Sequence, residues 1–127
     1  MAISNLVVDR RAGIVSFRAD ADEDAIKAVL LKARGSFLRT FLQAEKQNGA
    51  GNCGITYEWK GDTAFSTWNT SNGGGSFDMN GTTQNGAARP DIGSAWWRVR
   101  VDTLDAAAGY VDVVWQLPLD VIAAVAA

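Results

Sequence analysis

The chain reads as an α+β protein: an antiparallel β-sheet or sandwich of about six strands with one long amphipathic helix packed on one face. Three observations predict this. Runs of β-branched and aromatic residues mark strands near both ends, with a period of two in the second half of the chain, an earlier segment takes a helical period, and 127 residues supply one core of ordinary domain size. A single domain over residues 1–127 follows.

Taken in order, Leu6-Val-Val8 and Ile14-Val-Ser-Phe17 are short β-branched runs separated by Asp9-Arg-Arg-Ala-Gly13. Turn formers at both ends of that connection predict a β-hairpin over 5–18. Across 22–48, Ile26, Leu30, Ala33, Phe37, Phe41 and Ala44 recur at steps of three or four, with Val29, Leu38 and Leu42 widening the stripe. That spacing predicts the helix. Asp20 with Glu23 resembles a capping box, and Asn48-Gly49 supplies a left-handed stop. Ile55, Tyr57 and Trp59 alternate with Thr56, Glu58 and Lys60, so 55–68 reads as a strand pair turning at Gly61-Asp62. Residues 70–88 hold Gly73-Gly-Gly75, Asn80-Gly81 and Asn85-Gly86. They form either a Gly/Asn-rich loop or two short edge strands around Phe77 and Met79. Finally, 95–117 reads as a β-hairpin. Trp97, Val99 and Val101 share its apolar face with Val111, Val113 and Trp115, and Arg98, Arg100 and Asp112 lie opposite, where Arg100 and Asp112 can pair. Residues 118–127 form an apolar tail that docks on its own domain or on a partner.

Composition narrows the function. A net charge of −2 with 12 basic and 14 acidic residues offers no footprint for nucleic acid. The amino terminus lacks a signal peptide's basic start and apolar core, and no apolar run approaches the ~18–20 residues of a membrane span. The expectation is a protein made in the cytoplasm, with no nucleic-acid or membrane partner. One cysteine, Cys53, excludes an internal disulfide framework and reads as a small buried hydrophobe. With no histidine, neither a Ser-His-acid nor a Cys-His arrangement can be assembled, nor a His-ligated metal site.

The remaining chemistry is weighed residue by residue. Glu58 with Asp62, or Asp78 with Asp91, could work as acid and base if the fold set them about 5–9 Å apart in a cleft. Solvated surface acids are the simpler reading. Asp78-Met-Asn80-Gly81 resembles the start of a calcium loop, but the next ligand position carries no Asx and no Glu closes a twelve-residue loop. Gly73-Gly-Gly75 lacks the Gly-Lys-Ser/Thr of a phosphate loop. No catalytic residue, cofactor or metal site is therefore assigned.

Five tryptophans invite two readings. Trp59, Trp97 and Trp115 fall in phase with strand core positions, whereas Trp68 and Trp96 point outward. Beside the Asn/Thr-rich loop, those two could stack on sugars, as in a carbohydrate-binding β-sandwich module. Trp and Arg are also enriched where proteins meet. The candidate interface is Trp68, Trp96, Arg98 and Arg100, together with Leu117, Leu119, Val121, Ile122 and Val125 of the tail.

Asp91-Ile-Gly93-Ser-Ala-Trp-Trp-Arg-Val-Arg-Val101 is similar to the start of a strand in bacterial and phage immunoglobulin-like domains. Thr56-Tyr-Glu-Trp59 is similar to their central Trp strand. The helix expected over 22–48 has no counterpart there. More broadly, a small, histidine-free, Gly/Asn/Thr-rich β protein with an apolar end resembles the decoration or cement proteins of tailed-phage capsids. That resemblance implies a non-enzymatic virion protein, a homo-oligomer with a trimer favoured, binding the major capsid protein and locking the shell. The carbohydrate-binding module is the alternative.

Overall fold

The computed structural model describes residues 3–9, 11–20, 29–32, 38–62, 64–92, 95–116 and 123–126. Among them are two five-stranded antiparallel sheets and a two-stranded pair, with no α-helix. The strands are β1 Ile3–Asp9, β2 Ile14–Ala19, β3 Val29–Lys32, β4 Leu38–Arg39, β5 Phe41–Lys46, β6 Asn52–Lys60, β7 Gly75–Asn80, β8 Asn85–Ala88, β9 Asp91–Ile92, β10 Trp96–Leu104, β11 Val111–Gln116 and β12 Ala123–Ala126. Sheet A runs β1-β2-β11-β5-β8 and sheet B runs β12-β3-β10-β6-β7, with β4 and β9 paired separately.

The expected α+β class is overturned at its helix. Within 22–48 the described residues are strands β3, β4 and β5; residues 21–28 and 33–37, with Ile26, Ala33 and Phe37 of the supposed stripe, lie outside the described residues. The physical reason is clearest in β5, where Leu42, Ala44 and Lys46 are buried and Phe41, Gln43 and Glu45 are exposed. That is a period of two. The helical reading drew Phe41 and Leu42 onto one stripe, although the pleat sends them to opposite faces. It also could not see Lys46 as an inward-facing residue.

The hairpin over 5–18 forms as β1 and β2, with Asp9 opposite Ile14. Asp9 Oδ1 accepts from the Arg11 and Ala12 amides, both at 3.0 Å, an Asx turn that closes the connection. The expected hairpin over 95–117 does not form: β10 lies in sheet B between β3 and β6, and β11 lies in sheet A between β2 and β5. Between them, Ala106–Ala108 makes one 3₁₀ turn that carries the chain across the sandwich, ending at Gly109 with φ of 79°. Such a φ favours glycine.

The two apolar faces that seemed to lie side by side therefore face each other. Trp97, Val99 and Val101 of sheet B are buried against Val111, Val113 and Trp115 of sheet A. The Trp97 and Trp115 rings meet edge to face, with centroids 6.3 Å apart, and the Trp115 indole N–H donates to Thr40 Oγ1 at 2.9 Å. An aromatic pair of this geometry contributes about 0.5–1.5 kcal/mol beyond its area burial.

Residues 70–88 are not one loop. They hold β7, at the edge of sheet B beside β6, and β8, at the edge of sheet A beside β5. The strand pair expected over 55–68 is half right: β6 forms, but its return is a single bridge between Trp59 and Asn69. In the tail, Ala123–Ala126 pairs with β3.

One end of the sandwich is built from three chain segments that cross between the sheets: β5 to β6, β7 to β8, and β10 to β11. Lys46, 1% exposed, ties two of them together. Its Nζ donates to the carbonyls of Gly51 at 2.6 Å, Gly81 at 2.7 Å and Ala50 at 3.4 Å. The third corner joins through main-chain bonds from Gln47 N to Tyr110 O and Asn48 N to Ala108 O. A buried ammonium is tolerable because all three of its protons find acceptors.

Candidate functional site

With the core filled by both sheets, the functional surface has to be sought on their outer faces. Sheet B carries the predicted aromatic and cationic residues. In β10, Trp96, Arg98 and Arg100 alternate with the buried Trp97, Val99 and Val101, so period two places them outward beside Glu58 and Thr56 of β6.

The face is closed on itself. Glu58 is buried and accepts from Arg98 Nη2 at 2.5 Å and Nε at 3.0 Å, and from Arg100 Nε at 3.3 Å. The half-buried Trp68 ring lies 4.5 Å from the Arg98 guanidinium carbon and 4.6 Å from Lys60 Nζ. Lys60 Nζ also donates to the Phe65 carbonyl at 2.9 Å. The loop bearing Trp68 is held along β6 by the Trp59–Asn69 bridge and by the Trp59 indole N–H donating to Ser71 O at 2.6 Å. Thus Trp68, Arg98 and Arg100 do come together, but Arg98 and Arg100 serve an internal charge, and the expected Arg100–Asp112 pair is replaced by Arg100–Glu58.

Of the tail residues, Val125 of β12 falls in the row of this patch, since both it and Arg98 are in register with Leu30 of β3. Leu117, Leu119, Val121 and Ile122 lie outside the described residues. Half-buried Trp96 sits in register with Lys32 and Lys60.

Glu58 and Asp62, two of the acids weighed for catalysis, have structural partners. Glu58 is held by two guanidiniums, while Asp62 Oδ1 caps a turn by accepting from Ala64 N at 2.8 Å. Asp78 and Asp102 reach over Gly54 from neighbouring strands, where any Cβ would collide with Asp102, and Thr56 Oγ1 donates to Asp102. Among the described residues no group of three or more His, Cys, Asp or Glu is placed to hold a metal ion. The carbonyl of Gly81, in the calcium-like segment, accepts the Lys46 ammonium. Cys53 is fully buried, and burial first, then the charge of Asp102, push its thiol up to about 12, with Lys46 opposing.

Sheet A differs in kind. Its outer face carries Val7 (51% exposed), Phe41 (52%) and Val114 (43%) on β1, β5 and β11. Around them stand Arg18, which grips Asp112 through two bonds of 2.8 and 3.1 Å and lies 3.6 Å from the Tyr110 ring centroid, and Arg89, 5.0 Å from the Phe41 ring. Two open grooves of about 350 and 360 Å³ run along it, the first beside Glu45, Gln84 and Tyr110, the second beside Phe41, Ala87 and Arg89. An apolar centre within a polar rim is the anatomy of a contact surface.

Sequence reasoning missed this face. Phe41 falls on the supposed helix stripe, Leu6-Val-Val8 shows no alternation that sets Val7 outward, and Val114, although out of phase with the inward Val113, reads as one more apolar residue of its strand. Comparison with protein-family models, with curated proteins and with solved structures finds no match to this chain.

Proposed function

We propose that this protein is a non-enzymatic structural component of a virion, a capsid cement or decoration protein that works by contact with its own copies and with the major capsid protein. The observation that carries the reading is the outer face of sheet A: three large apolar side chains, each about half exposed, on a stiff sheet ringed by charge. A water-facing sheet normally alternates buried apolar with exposed polar residues, so Phe41 and Val114 beside Val7 are out of place unless something covers them. A rigid two-layer scaffold suits a role in which the protein bears load between neighbours. The paired acids of sheet B suit the same role, since buried and bridged carboxylates brace strands.

Co-sedimentation with shells assembled from the major capsid protein tests this. The expected result is saturable attachment and a rise in the temperature at which the shells lose integrity. No attachment, together with a shift in tryptophan fluorescence on adding oligosaccharides, would replace it by the carbohydrate-binding reading, in which Trp68, braced by Arg98 and Lys60, is the stacking platform.

A further inference from the structure

We infer that the outer face of sheet A is where two copies of this chain meet, stacked face to face about a two-fold axis running along β11. This deepens the structural reading above by naming the surface and the symmetry of self-contact. Strand register carries it. Across the face, Arg18, Asp112, Glu45 and Asn85 stand in one row, Val7, Ser16, Val114, Gln43 and Ala87 in the next, and Asp9, Ile14, Gln116 and Phe41 in the third. Arg89 extends the third row, since it lies against Phe41.

β11 is the middle strand of the five. Rotation by half a turn about its direction lays β11 on β11, β2 on the partner's β5 and β1 on the partner's β8, and keeps every row against itself. An isologous contact of this kind requires a face complementary to itself, and this one is. On the axis, Val114 meets its counterpart. Ile14 lies over the partner's Phe41 on either side of the axis, and Asp9 at one margin faces the partner's Arg89 at the other. In the remaining row Arg18 faces the partner's Glu45.

That last pair resolves a local conflict. Glu45 stands directly opposite Asp112 in the β5–β11 ladder, and like charges so placed repel. Among the described residues Glu45 makes no ion pair, while Arg18 is bound to Asp112. Stacking the copies gives Glu45 a guanidinium; the two Asp112 carboxylates, which also meet on the axis, are each neutralised by the Arg18 of their own chain. An axis across the strands would instead set Glu45 on Phe41 and Arg18 on Ile14, which keeps the Val114 contact but loses the Arg18–Glu45, Ile14–Phe41 and Asp9–Arg89 matches. Aligned sheets pack about 10 Å apart, near enough for these side chains to interdigitate.

Native mass and sedimentation over a concentration series test the inference. Wild-type protein is expected to dimerise, and Val114→Lys, which sets two ammonium groups against each other on the axis, to weaken the dimer by about a hundredfold or more. Val114→Cys keeps the test open should the lysine variant misfold. Because Cys53 is buried, the new thiol is the only reactive one, and mild oxidation should link it to its own copy, whereas Arg100→Cys on sheet B should not cross-link. A wild-type monomer at all concentrations, or a dimer indifferent to Val114→Lys and uncoupled to Val114→Cys, overturns the inference. Shell attachment by such a protein would leave the structural role standing, and its absence would remove both.

Discussion

The outer faces of the two sheets are made of similar residue types and do opposite things. On sheet B, Arg98, Arg100, Lys60 and Trp68 converge on one buried glutamate and one another, so the charges are consumed within the fold. On sheet A, Phe41, Val7 and Val114 are left to solvent, and Glu45 and Arg89 ring them without an ion pair among the described residues. Residue type alone therefore does not mark a contact surface. What marks it is whether a side chain's interactions are completed by its own chain.

The comparison breaks most decisively at the two carboxylates. Glu58→Ala leaves Arg98 and Arg100 crowded together without their counter-charge, and should cost about 3 kcal/mol, toward the low end for a broken buried pair because both guanidiniums keep some solvent. Glu45→Ala, on the exposed face, should stay within about 0.5 kcal/mol. Urea unfolding of the two variants side by side reads the difference.

Next in size is Lys46→Met, which removes the ammonium shared by two sheet-crossing corners and leaves the carbonyls of Gly51 and Gly81 without it. A loss of about 2 kcal/mol is expected, together with faster amide exchange at residues 47–51 and 80–84. Wild-type rates there would show that the corners hold without it.

A smaller effect concerns Cys53. Its thiol is raised from 9.0 to about 12 in the folded protein, so above pH 9 the unfolded chain releases a proton that the native state retains. The stabilisation is complete below pH 9 and is lost as pH rises toward 12. Cys53→Ala should flatten the alkaline fall in stability, measured by urea unfolding at pH 8, 9 and 10; an unchanged slope would assign the fall to other groups. At pH 8 a thiol reagent should label Cys53 only as the protein unfolds. Smallest of all, Trp68→Ala should cost about 1 kcal/mol, because the ring braces Arg98 and Lys60 from a half-buried position.

These contrasts also explain what could be read from the sequence. The hairpin of β1 and β2 was legible because strand, turn and strand are adjacent and Asp9 and Gly13 mark the bend. So was the inward phase of Trp97, Val99, Val101, Val111, Val113 and Trp115. Their partnership was not, because alternation is identical whether the matching face lies on the next strand or across a core. β5 was hidden by Phe41 and Lys46, an exposed aromatic and a buried cation that invert the usual pattern. The same inversion concealed the contact face, while the shared outward face of Arg98 and Arg100 was legible but neither the Trp68 ring over Arg98 nor the buried Glu58 that holds both arginines was.

Hydroxyl-radical footprinting of the wild-type protein across a dilution series decides whether sheet A meets its own copy, because Phe41 and Phe65 are both more than half exposed in the single chain and lie on different surfaces. The account predicts that Phe41 becomes protected as concentration rises while Phe65 keeps its reactivity. Equal oxidation of Phe41 at every concentration, or protection that appears at Trp68 instead, would contradict it.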